Sequence, residues 1–163
     1  LQRRAEIDLG LLLKGIADRY EQCALKKGIR FQQSSDSQLP LVKCDAQRIE
    51  QVLNSIIEAG IEISKQGDLL SIVFSRSKVG LHGEPHEYAI CTTEYQNRAA
   101  NPQEILIGMT EEATDWKNIA NILTDNNLSL IICRKIIEDQ GGMFQAEVGE
   151  DSRIQIKFAL PLA

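Results

Sequence analysis

Cysteine pairs, a basic excess and long apolar runs are all missing from this 163-residue chain. Its 18 Lys and Arg stand against 23 Asp and Glu, a net charge of −5. With no basic stripe either, nucleic acid is excluded as the main partner. No apolar stretch approaches the roughly 20 residues that cross a bilayer, which excludes direct membrane insertion. Leu1 to Glu6 is polar and carries two arginines, so it does not read as a signal peptide, and the abrupt start reads as that of a fragment of something longer. The four cysteines, Cys23, Cys44, Cys91 and Cys133, form no C-x-x-C pair. Cys23, Cys91 and Cys133 sit among apolar neighbours, and all four read as reduced, largely buried thiols of a cytosolic protein. Repeats, linkers and low-complexity segments are absent too, so residues 1–163 read as one domain. What is present is ordinary for a soluble globular protein: 43% apolar and 25% charged residues.

Asp8 is placed to cap a helix in which Leu9, Leu12, Leu13, Ile16 and Tyr20 recur at helical spacing until Gly28. Ile29 to Gln33 reads as a short strand, Ser34 to Pro40 as a polar loop, and Leu41 to Cys44 as a second extended piece. Asp45 caps the next helix, whose stripe is Ile49, Val52, Leu53, Ile56 and Ile57, and Gly67 ends the pattern. Leu70, Ile72 and Phe74 alternate with polar residues as in a half-buried strand. Val79 to Pro85 reads as a hairpin-like loop leading to a partner strand over Tyr88 to Glu94. A third helix runs from Leu128 to Gln140 and is closed by Gly141-Gly142. A last hairpin covers Gly142 to Gly149 and Arg153 to Leu160. Between these, 95–127 is long, polar and irregular, with one short helix around Glu111 to Leu123, as in a lid or binding loop. The order predicts an α+β fold: a two-layer sandwich of a mixed, mostly antiparallel sheet with three helices on one face.

Catalytic constellations are not defensible from spacing. His82 and His86, near Glu84 and Glu87, lie beside Pro85 and two glycines, which reads as an exposed turn and not as the three or four convergent ligands of a metal site. Trp116, Ile119, Ala120 and Leu123 form an apolar stripe in the lid region. It either packs on the domain's own core or fills a cleft there, or it presents a partner surface.

Four phrases, in order, resemble the ATP-binding domain of sensor histidine kinases, a member of the superfamily shared with DNA gyrase and the heat-shock chaperone ATPases. Asp45-Ala46-Gln47-Arg48-Ile49-Glu50-Gln51-Val52-Leu53 resembles the start of the family's N box, D-x-x-R-[IL]-x-Q-[VI]-L. Asn101-Pro102-Gln103-Glu104-Ile105 is similar to the segment after the first glycine box. Ile132 to Gly142 is similar to the helix and double glycine after the second box. Phe158 to Leu162 is similar to the F-x-L-P-L ending. The resemblance covers nearly the whole chain and implies the fold just derived.

The same resemblance implies where a nucleotide would be held, and there the chain departs from the family. The Mg²⁺-ligating Asn falls on Ala59, whose methyl group offers no oxygen to a hard cation. Asn54 is nearby but on the wrong face. The family's earlier Asn falls on Ser55, and its frequent Lys falls on Glu62. The adenine-reading Asp falls on Tyr95, and the two glycines of the first box fall on Asn97 and Ala99. Asn127-Leu128-Ser129-Leu130 stands where the second box reads G-x-G-L, so Asn127 and Ser129 replace both glycines. The family's lid phenylalanine falls near Met109.

The expectation is therefore a degenerate ATPase-like domain of a two-component sensor histidine kinase, without bound cofactor and without a metal. Its implied partners are the phosphoacceptor helical hairpin of its own parent protein, a kinase partner or a response regulator, and the isolated domain is expected to be monomeric. The implied location is the cytoplasm or a plastid stroma, or the cytosolic part of a membrane-anchored receptor. The alternative is an active, atypical histidine kinase domain that uses ATP and Mg²⁺ to phosphorylate a His elsewhere in the parent protein.

Overall fold

The structure, a computed structural model, describes residues 3–81, 84–96, 125–148 and 153–162. The elements run β1 (Arg4–Ile7), α1 (Leu9–Lys27), β2 (Arg30–Ser35), β3 (Val42–Asp45), α2 (Ala46–Ile63), β4 (Leu69–Leu81), β5 (Glu84–Gln96), α3 (Asp125–Asp139), β6 (Met143–Val148) and β7 (Arg153–Pro161). Strands β2-β4-β5-β7-β6 form a mixed five-stranded sheet in that spatial order. Only β2 and β4 pair in parallel; the other three pairings are antiparallel. The α+β expectation holds, and all three helices lie where their periodicity predicts them.

The core is the contact between the helices' apolar stripes and one sheet face. Leu9, Leu13 and Ile16 of α1, Ile49, Val52, Leu53, Ile56 and Ile57 of α2, and Leu130, Cys133 and Ile137 of α3 are buried. They meet Leu70, Ile72 and Phe74 of β4, Cys91 of β5, and Ile154, Ile156, Phe158 and Leu160 of β7, which alternate along their strands as period-two patterning requires. Phe74 and Phe158 meet edge to face at 5.9 Å between ring centroids.

Local chemistry sets the boundaries. The Asp8 carboxylate accepts from the Leu11 N–H at 3.1 Å, and Asp45 accepts from Gln47 and Arg48 at the start of α2, so both act as the expected caps. Asp45 does more than cap. Its second oxygen accepts from the Arg3 N–H at 3.1 Å, and its own N–H donates to the Gln140 side-chain oxygen at 2.8 Å. The α3 helix ends on Gly141, whose φ of +79° suits a residue without Cβ. At Gly142 any side chain would run into the Ala159 carbonyl of β7.

Four features depart from the sequence reading. Arg4–Ile7 is a strand, although it reads as a polar opening. It pairs antiparallel with β3, so the piece expected to join the main sheet forms a separate two-stranded ribbon. Its residues are exposed or half-buried, so no apolar alternation marks it. The β4–β5 arms run on to Leu81 and from Glu84, leaving less of a loop than Val79 to Pro85 predicts. Cys23 is exposed, while Cys44, Cys91 and Cys133 are buried as expected. In helical register Cys23 follows Tyr20 around to the outer side of α1, which its apolar neighbours in sequence do not reveal.

No helix among the described residues is long and apolar enough to cross a membrane. His82, the short helix at 111–123 with its Trp116 stripe, and Met109 lie outside the described residues. His86 is exposed, and no group of three or more potential metal ligands occurs among the described residues.

Candidate functional site

The second half of α2, the end of β5 and the middle of α3 come together in the core. On α2, Ser55, Ala59 and Glu62 follow one another at i, i+4 and i+7 and therefore share one stripe. Ser55 is half-buried and lies beside the Cys133 thiol of α3, which donates to the Val52 carbonyl of α2 at 3.8 Å. Ala59 is buried, at 4% exposure, and Glu62 is exposed on the last turn. There the Lys27 ammonium of α1 donates to the backbone carbonyls of Ile61 and Glu62 at 2.6 and 2.8 Å, occupying orphan acceptors of the helix end.

Asn54 lies elsewhere. It falls between Glu50 and Glu58, which bond to Arg19 and Tyr20 of α1. Its stripe is thus the α1 seam, and its side-chain oxygen is buried there without a partner among the described residues.

Tyr95 is the centre of the arrangement. It is 1% exposed, and its hydroxyl donates to the Ile56 carbonyl of α2 at 2.6 Å. The ring lies on Gly60, where an added Cβ would stand 2.5 Å from Cε1 and 2.8 Å from Leu70 Cδ1. A glycine inside a helix costs about 1 kcal/mol against alanine, and here it makes the room the phenol occupies. Burial pushes the Tyr95 hydroxyl well above its ordinary range, with the neighbouring Cys133 and Cys91 thiols adding to it, so it remains a donor. Burial likewise raises the Cys133 and Cys91 thiols to about 12 each. Neither thiol has thiolate character at neutral pH, so neither is a nucleophile.

The structure therefore brings Ser55, Ala59 and Tyr95 to one locality, with Glu62 at its exposed rim. Asn127 and Ser129 lie in the first turns of α3, beyond the described side chains. Asn97 and Ala99 lie outside the described residues. Sequence reasoning missed Gly60. Its signal was a glycine within an otherwise apolar-periodic helix, which asks for a close neighbour.

Asn101 to Ile105 lies outside the described residues, and the other three phrases that carry the resemblance serve the fold. Asp45 caps α2 and ties it to Arg3 and Gln140, Ile49, Val52 and Leu53 are core, Gly142 fits beneath the β7 backbone, and Phe158 and Leu160 are core. This architecture is that of the histidine kinase catalytic domains. The nucleotide-free catalytic domain of histidine kinase ThkA superposes with a TM-score of 0.75 at 22% identity, over 98% of this chain and 96% of that one. Acinetobacter baumannii histidine kinase AdeS gives 0.69 at 18% identity, over 99% of this chain and 68% of that one. ThkA in complex with the response regulator protein TrrA gives 0.71 at 22% identity, over 98% of this chain and 42% of that one. No family model matches the chain. No curated protein matches it.

Proposed function

We propose that this chain is a degenerate ATPase-like domain of a two-component sensor histidine kinase, which does not use ATP and acts by docking to other signalling proteins. The placement of Tyr95 carries the reading. A phenol at the position of the family's adenine-reading carboxylate is buried, and its hydroxyl is committed to Ile56 and its ring to Gly60. A neutral donor already engaged with the helix backbone cannot replace a carboxylate that accepts from an amino group. Ala59 supports the same view, since a methyl group at the metal position has no lone pair for Mg²⁺. Glu62 adds an anion at the rim where the family frequently has a lysine. Asn97, Ala99, Asn127 and Ser129 at the glycine positions point the same way on sequence grounds. The docking role rests on a fold kept intact around an altered site. The ThkA–TrrA complex supports a response regulator as one partner, beside a phosphoacceptor hairpin or a second kinase.

Calorimetric or thermal-shift titration with ATP and Mg²⁺ tests the proposal. Any ligand of the native state raises its stability by mass action, about 2.7 kcal/mol at a hundredfold excess over Kd. The expected result is no shift at millimolar nucleotide. Saturable Mg·ATP binding tighter than about 100 μM, a level the mass-action shift makes plainly visible, would instead establish the active, atypical kinase.

A further inference from the structure

Away from that site, a cleft of about 460 Å³ lies along the edge strand β2, lined by α1 on one side and reaching Ser71 and Val73 of β4 past the strand. Four successive residues, Phe31, Gln32, Gln33 and Ser34, line it. Neighbouring side chains of a strand point to opposite faces, so what these four share is the backbone edge, which forms the wall. The register identifies which groups are free. Arg30 donates to the Asp68 carbonyl and Asp36 to the Phe74 carbonyl, so the even-numbered residues of β2 bond to β4. In a parallel ladder the N–H and C=O of the intervening residues point the other way. Those of Phe31 and Gln33 therefore face the cleft with no backbone partner among the described residues.

The opposite wall is α1, with Asp18 and Glu21 exposed on it. Leu11 and Leu25, 69% and 68% exposed, stand seven residues to either side of Asp18 and so share its helix face. At the start of α1, Gly10 comes so near Ser35 of β2 that a Cβ would sit 2.5 Å from its hydroxyl oxygen, so helix and strand meet closely there. An unpaired strand edge facing an acidic helical wall is the arrangement for accepting a further strand.

We propose that this cleft binds an extended peptide segment of a partner protein, which adds to β2 as a sixth strand and directs a Lys or Arg side chain to Asp18 and Glu21. Backbone bonds at Phe31 and Gln33 supply affinity independent of sequence, and the two carboxylates supply the charge preference. This surface is separate from the Tyr95 site and does not depend on how the nucleotide question is resolved.

The test is a linear-peptide display library selected against the chain, followed by fluorescence anisotropy of the enriched peptides. Enrichment of peptides with Lys or Arg at alternate positions is expected. Gln33→Pro removes only an outward N–H and leaves the β4 ladder whole, so it should keep the thermal transition and weaken binding about tenfold. Asp18→Lys with Glu21→Lys, two exposed changes, should remove the basic preference and weaken these peptides several-fold, more so at low salt. Failure to enrich any peptide overturns the proposal. So does enrichment without basic residues, or binding that survives both Gln33→Pro and the charge reversal. If Gln33→Pro does not fold, the charge-reversed variant decides alone.

Discussion

The contact between Tyr95 and Gly60 makes a prediction whose sign depends on the background. In the native chain Gly60→Ala brings a methyl group to 2.5 Å from the Tyr95 ring and 2.8 Å from Leu70 Cδ1. Alanine gains about 1 kcal/mol over glycine in a helix, and overpacking a buried site costs about 1–3 kcal/mol. The net effect is destabilisation of up to about 2 kcal/mol. Tyr95→Ala alone empties a large buried site and costs about 3–5 kcal/mol. With the ring gone, the Leu70 methyl can turn into the vacated space, and Gly60→Ala should then be neutral or stabilising, through its helix propensity and through partial refilling of the cavity. The coupling between the two positions is therefore expected to be about 1–3 kcal/mol. Urea denaturation of the four proteins in the cycle measures it, with an unchanged urea dependence confirming that the folded and unfolded states compare like with like. Stabilisation by Gly60→Ala in the native background, or additivity within about 0.5 kcal/mol, would refute the placement of the phenol on α2 and with it the main support for the proposed function.

Leu53→Ala and Ile57→Ala, both at fully buried positions of α2, should each cost about 2–5 kcal/mol in equilibrium denaturation, and less than about 1 kcal/mol for both would mean that this stripe is not the core. Gly142→Ala should cost about 3 kcal/mol by driving a methyl into the Ala159 carbonyl; a melting temperature equal to that of the native chain would contradict the fit of α3 against β7. Among the four cysteines, a thiol-specific reagent should modify Cys23 rapidly in the native state and the other three only on unfolding, since Cys23 alone is exposed. The buried thiols also set an alkaline limit. Cys91 and Cys133 are raised to about 12 in the folded chain from an ordinary value near 9, so the folded state holds these protons more tightly. The stability they contribute is complete below about pH 8.5 and declines as pH rises toward 12. Denaturation midpoints that do not fall across that interval would argue that neither thiol is buried.

The helices and the core were legible because each carries its own periodicity and its own cap. Asp8 and Asp45 announced two starts, and the stripes from Leu9 and from Ile49 announced the buried faces. The sheet's order was not legible. Nothing in Arg4–Ile7 alternates, since Arg4 to Glu6 are exposed and only Ile7 packs against the core, while the ribbon's buried side chains, Val42 and Cys44, come from β3. With β1 unseen, β3 had no partner except the main sheet. At the candidate site the short phrases register Ser55, Ala59, Glu62 and Tyr95 on the family's nucleotide positions as an expectation, and none of them reports what Tyr95 does in the fold. Its bond to Ile56 spans 39 positions in sequence, and no local pattern reports a contact of that range. The β2 edge was equally hidden, because which backbone groups lack a partner depends on β2 pairing in parallel with β4.

That single parallel pairing also bears on how the chain reaches its native state. The β4–β5 and β6–β7 pairs join strands that follow one another closely in sequence and can zip from their near ends. The β2–β4 pair has β3 and the whole of α2 between its arms, so the intervening chain must be ordered before any of its bonds form. Closing such a loop costs entropy ahead of any return in contacts, which delays pairing of this kind during folding. We expect β2 to dock last onto a hairpin already assembled, and to peel away first when the native state opens locally. In hydrogen exchange its even-numbered amides should therefore be released together, at a lower free energy than those of β5 at the centre of the sheet.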